Sequence, residues 1–149
     1  MSAIRPLKLA ALDEADLSVL SAHVQDAVVK VADIKWTAAS GQLIVPMNRF
    51  SWETVRGRRR ASDQRRRAVL HFDRVRRVQS VGVSARDRDA VLSILAVLFH
   101  EAEAPAGTVS IVCSGDSVLK LDVECVEARL TDLGAAWSAS MRPKHAVGR

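Results

Sequence analysis

Gly107–Val123 reads GTVSIVCSGDSVLKLDV, and its alternation decides the fold class. Val109, Ile111 and Cys113 share one face on the way out. Leu119, Leu121 and Val123 share one face on the way back, with Lys120 and Asp122 opposite. A period of two, apolar on one side and polar on the other, is the pattern of a half-buried strand. Gly115 and Asp116 supply a tight turn between the two runs. The segment is therefore a β-hairpin, and the rest of the chain is read outward from it.

Upstream, Glu101–Gly107 (EAEAPAG) carries proline and glycine breakers and reads as a loop. Val91–His100 is apolar on both faces, which fits a central buried strand but also a buried helix. Ser84–Asp89 (SARDRD) is a turn. Ala68–Val83 (AVLHFDRVRRVQSVGV) is rich in β-branched residues. A long strand is preferred there over a helix, with a bulge where the alternation slips at Arg76 and Arg77. Val28–Trp36 and the run Leu43, Val45, Met47 make a second hairpin across a turn at Thr37–Gly41. Pro46 lacks an amide donor, so that strand is expected at an edge or with a bulge. Leu17, Leu20 and Val24 form one helical stripe behind an Asp13 N-cap, which predicts a helix over 13–25. Leu7–Leu12 reads as a short strand.

Downstream, Val126, Leu130, Leu133 and Trp137 fall at i, i+4, i+7 and i+11, which predicts a second amphipathic helix. The residues from 138 to 149 are small, polar and basic and read as a flexible tail. Seven strands and two helices with short connections predict an α+β single domain over 1–149. The expected architecture is mainly an antiparallel bent sheet, or a partly closed barrel, covered by the two helices. Strands capped by a C-terminal helix resemble a pleckstrin-homology-like barrel, an analogy of fold that carries no function.

The chain is long enough, at 149 residues, to bury a core of its own. The N-terminal MSAIRPLKLAALDEADL holds no apolar signal core, and no apolar run is long enough to span a bilayer. A cytoplasmic location with Cys113 and Cys125 as free thiols is the expectation.

Three stretches together carry a family resemblance: LKLAALDEADLSVLSAHVQDAVVKVADIKW, then LHFDRV, then EAPAGTVSIVCSGDSVLKLDVECVEARLTDLG. They resemble an uncharacterised alphaproteobacterial family catalogued as domain of unknown function 2948. The resemblance implies a small cytoplasmic single-domain protein. It implies no activity, cofactor or catalytic residue.

No convergent catalytic set is visible. His23, His71, His100 and His145 are scattered with no metal-ligand spacing, and two cysteines do not make a zinc site. No nucleophile elbow, dinucleotide fingerprint or phosphate loop is present. His71 and Asp73 share a face in a strand, where structural polar residues are the plainer account. The acids of LDVECVEARL read as the solvated start of the C-terminal helix. No cofactor and no metal is expected.

The one functional signal is electrostatic. Between Arg56 and Arg77 lie ten arginines, no lysine, and only Asp63 and Asp73 as acids. Arg56, Arg58, Arg59, Arg60, Arg65, Arg66 and Arg67 fall within twelve residues that lack apolar periodicity. The segment 56–67 is therefore expected as an exposed loop. Such charge fits an anionic partner, nucleic acid or an acidic protein surface, but no interleaved aromatic offers base stacking. Seven acids between Glu101 and Asp132 offer a partner within the chain, or in a second copy as a homo-oligomer. The expected function is a non-enzymatic binding or adaptor module. The alternatives are a non-specific nucleic-acid binder using Arg56–Arg77, or an enzyme whose site is assembled from residues distant in sequence.

Overall fold

The computed structural model describes residues 6–56, 58–82 and 87–138, with only the backbone course for 51–55, 59–64 and 135–138. The described residues form ten strands and one α-helix: β1 (Lys8–Ala11), α1 (Glu14–Val24), β2 (Val28–Lys30), β3 (Lys35–Thr37), β4 (Gln42–Val55), β5 (Arg58–Phe72), β6 (Val75–Val81), β7 (Val91–Glu101), β8 (Gly107–Cys113), β9 (Ser117–Val123) and β10 (Ala128–Ser138). The sheet order is β1-β10-β5-β4-β2-β7-β8-β9-β6, with β3 added on β4. Every pairing is antiparallel.

The deciding hairpin forms as its alternation requires. Cys113 pairs with Ser117, and Gly115 (φ 72) and Asp116 (φ 59) both take left-handed conformations in the turn. Val109, Ile111, Cys113, Leu119, Leu121 and Val123 are all buried. The helix also forms as read. The Asp13 carboxylate accepts a hydrogen bond from the Asp16 N–H at 2.8 Å, and Leu17, Leu20 and Val24 are its buried stripe.

Both undecided segments are strands. Val91–Glu101 is β7, and the expected strand from Ala68 is divided between β5 and β6, which ends at Val81; Val83 lies outside the described residues. The expected slip at Arg76 and Arg77 is a register shift between Val75 and Arg77 against β9. Only Asp73 and Arg74 separate β5 from β6, although these strands lie far apart in the sheet order. The sheet is therefore bent back on itself around that junction. Arg74 is left-handed (φ 59), and the Val75 N–H donates to the Gly41 C=O at 2.9 Å. No strand pairing closes the sheet among the described residues, so the expectation of a partly closed, pleckstrin-homology-like barrel is corrected to an open sheet.

The second expected helix is β10. Its period-two face, Ala128, Leu130 and Asp132, is buried, while Leu133 is exposed. β10 fills the place between β1 and β5, so backbone pairing on both edges outweighs a short helical stripe. Gly134 has φ 68 and lies within the register shift between Leu133 and Trp137. Of the expected tail, Ser138 ends β10, and the remainder lies outside the described residues.

The first hairpin is real but interrupted. A 3-10 turn at Val31–Asp33 splits the expected strand into β2 and β3. β4 is central rather than an edge strand. On the side away from β5 it pairs with β3 at Gln42–Ile44 and with β2 at Asn48. Pro46 falls between those two pairings, where a missing donor breaks no ladder.

One glycine is fixed by packing. A Cβ at Gly107 would lie 2.4 Å from the His100 carbonyl oxygen and 2.7 Å from the Phe99 ring. Gly107→Ala is expected to cost about 1–3 kcal/mol through overpacking. Gly115→Ala is the comparison: space is open there and only the backbone conformation (φ 72) resists. Chemical denaturation of the two variants measures the difference.

Candidate functional site: the arginine-rich hairpin

The segment expected as a loop is the first part of a strand. β4 and β5 form one long hairpin, paired from Leu43 with Phe72 out to Val55 with Arg58. β10 follows β5 only as far as Gln64. Beyond that point the described pairings leave a two-stranded arm, from Trp52 with Ala61 out to Val55 with Arg58.

Strand alternation divides the arginines. On β5, Phe72, Leu70, Ala68 and Arg66 face the core, continuing one period-two series. On β4, Leu43, Val45, Met47 and Arg49 do the same. The two series end opposite each other, because Arg49 pairs directly with Arg66. Like charges so placed repel. Asp132 of β10 offsets this. The Arg49 Nε and Nη2 donate to its two carboxylate oxygens at 2.7 Å each, and the Arg66 Nε stands 3.7 Å from Oδ2. All three residues are buried. The Leu7 N–H donates to the same carboxylate at 2.7 Å, and the Asp132 N–H returns a bond to the Leu7 C=O. This group ties β4, β5, β10 and the segment before β1 together at one end of the core.

The arginines flanking Arg66 point to the outer face. Arg65 lies over the ring of Phe50, its cross-strand partner, at 4.1 Å from the centroid. Arg67 donates to Asn48, also its direct partner, at 3.2 Å, and pairs with Asp33 at 3.4 Å. Of the seven candidate anion contacts, Arg65, Arg66 and Arg67 are thus engaged within the fold. Arg56 and Arg58 are exposed at the tip of the hairpin, and Arg59 and Arg60 take the next register positions, opposite Thr54 and Glu53.

The acidic segment answers part of the basic one. Besides Asp132 with Arg66, Glu127 lies 3.8 Å from Arg74. Sequence reading passed over Arg49 and took Asp132 only as one of the seven acids of its segment. The available signal was continuation of the β4 and β10 alternation into charged residues.

His71 lies on the outer face between Ile44 and Arg129. Its Nδ1 is buried without a hydrogen-bond partner. Asp73 is held by Gln42 at 3.1 Å and by Arg129 at 3.6 Å. Burial, and next the Arg129 charge, lower the His71 pKa from its ordinary 6.5, while Asp73 opposes them. The unfolded chain therefore takes up the proton first as pH falls. Stability contributed by neutral His71 is present above pH 6.5 and is lost as pH falls through that value towards the lowered folded pKa. Urea unfolding at pH 7.5 and pH 5.5 should show a smaller loss for His71→Gln than for the wild type.

Cys113 and Cys125 do not meet. Cys113 lies at the turn end of the β8–β9 hairpin, whereas Cys125 follows Val123 at the opposite end. Burial pushes the Cys113 thiol up to about 11. Among the described residues, no three His, Cys, Asp or Glu side chains gather as a metal site. No described helix is long and apolar enough to cross a membrane.

A family model described as a protein of unknown function (DUF2948) matches residues 7–145. The chain belongs to the DUF2948 family. No curated protein and no solved structure matches it. The match covers the whole described DUF2948 sheet from β1 to β10, the arginine-rich hairpin included.

Proposed function

We propose that this chain is a non-enzymatic binding module that takes a polyanion along the outer part of the β4–β5 hairpin. The observation that carries this reading is the position of Arg56, Arg58, Arg59 and Arg60. They lie on the two-stranded arm past the last described β10 pairing, while the arginines nearer the sheet are engaged internally. A two-stranded ribbon fits the major groove of a duplex, and arginine binds phosphate in bidentate fashion. The chemistry favours phosphate contact over base reading, so binding is non-specific and salt-sensitive.

Four arginines set the expected scale. If each neutralises one phosphate, log K falls with log salt at a slope of about −3 to −4 on duplex DNA. Replacing Arg56, Arg58, Arg59 and Arg60 together by Ser should abolish most binding. Folding stability should change by no more than about 0.5 kcal/mol, as for surface substitutions in general. Labelled duplex and single-stranded oligonucleotides, titrated at several salt concentrations, measure both. No binding at low salt would remove the polyanion reading. Tight binding that survives high salt, or selects one sequence, would replace it with specific recognition.

A further inference from the structure

β7 has one edge that no described strand completes. On that side β2 pairs only with Val91, Leu92 and Ser93. The pairing is prolonged by one residue, as the Ile94 N–H donates to the Ala27 C=O and the Asp26 N–H to the Ile94 C=O. The chain preceding β2 is α1, so from residue 95 onward helix rather than strand runs beside β7. Ser21 of α1 accepts a hydrogen bond from the Val97 N–H at 2.8 Å. Val97 therefore directs its backbone away from β8. Antiparallel alternation directs the N–H and C=O of Phe99 the same way.

A groove of about 330 Å³ lies there, lined by Glu14, Leu17, Ser18 and Ser21 of α1 and by Val97–His100 of β7. The strand segment beside it, Val-Leu-Phe-His, has no lysine, proline or other charge of the kind that blunts an edge. Leu98 is 46% exposed beside it. The outward backbone groups past Val97 stand at strand spacing, which is the spacing that an added extended segment matches. The charges select the segment's composition. Glu14 lines the groove, and Glu101 and Glu103 stand exposed where β7 ends.

We infer that the groove between α1 and β7 binds an extended basic peptide of a partner protein, which adds as a strand to the Phe99–Glu101 edge, beyond the Val97 N–H that Ser21 holds. This site is separate from the arginine-rich arm and opposite to it in charge preference. It does not depend on the polyanion reading.

The test uses the full chain and a labelled decapeptide alternating Lys and Val. Its controls are a Ser–Val peptide without the charge and a Lys–Pro peptide without alternate N–H donors. Fluorescence anisotropy reads affinity, and backbone amide NMR reads position. The Lys–Val peptide should bind with shifts centred on Phe99 and Glu101, and hydrogen exchange at Phe99 should slow. Each control peptide should bind about tenfold more weakly or less. Ser18→Trp fills the groove from an exposed helix position and should weaken Lys–Val binding to a similar degree. Glu14→Lys removes complementarity without adding bulk and should do the same. Equal binding of Lys–Pro would reduce the site to charge attraction and overturn the inference. So would the absence of binding, shifts centred elsewhere, or unchanged affinity in both folded variants.

Discussion

Asp132→Ala is expected to be the most damaging single substitution on the polar side of this fold. It would leave Arg49 and Arg66, each 3% exposed, facing one another as direct cross-strand partners. Breaking a buried ion group by removing one partner typically costs about 3–5 kcal/mol, because the remaining charge is left without compensation. That is a large part of the roughly 5–15 kcal/mol that holds a domain together. The backbone bond from Leu7 to the carboxylate goes as well, which loosens the approach to β1. A comparison variant separates charge from shape. Replacing Arg49 and Arg66 by Met together with Asp132 by Leu removes all three charges and keeps most of the volume. It should recover most of the loss, since apolar replacement of a buried ion group is often neutral or stabilising. Urea unfolding followed by circular dichroism measures both. A loss below about 1 kcal/mol in Asp132→Ala would place these groups in contact with water instead.

Phe72→Ala should be about as costly, for a different reason. Phe72 is the last residue of β5 and is fully buried. Its cross-strand partners are Leu43 on β4 and Ala128 on β10. Immediately after it the chain turns through Asp73 and Arg74 to enter β6 at the other end of the sheet. Removing the ring opens a cavity at the bend, and such a change costs about 3–5 kcal/mol. Phe72→Leu keeps most of the volume and should cost less than about 1.5 kcal/mol. Leu12→Ala, at a position 68% exposed, sets the baseline. Equal effects at Phe72 and Leu12 would mean that the bend does not depend on this packing.

The sequence alone determined the elements whose information is local. The β8–β9 hairpin follows from alternation and a Gly-Asp turn, and α1 follows from its N-cap and its stripe of Leu17, Leu20 and Val24. The slip at Arg76 and Arg77 was legible because alternation fails there within a few residues. Composition also marked Arg56–Arg77 as a concentration of charge, since it needs no neighbours to be read. The tertiary structure alone decided what depends on pairing. Val126–Trp137 carries a helical stripe and a strand face at once, and the open edges of β1 and β5 choose the strand. Arg56–Arg67 repels itself in isolation and reads as a loop. Paired with β4, and from Gln64 onward also with β10, the segment becomes strand, and Arg65, Arg66 and Arg67 meet Phe50, Asp132 and Asn48. Arg49 and Asp132 are 83 residues apart in the chain. No local pattern places a carboxylate between two guanidinium groups; that requires three strands to share one end of a core, and burial then makes the contact decisive.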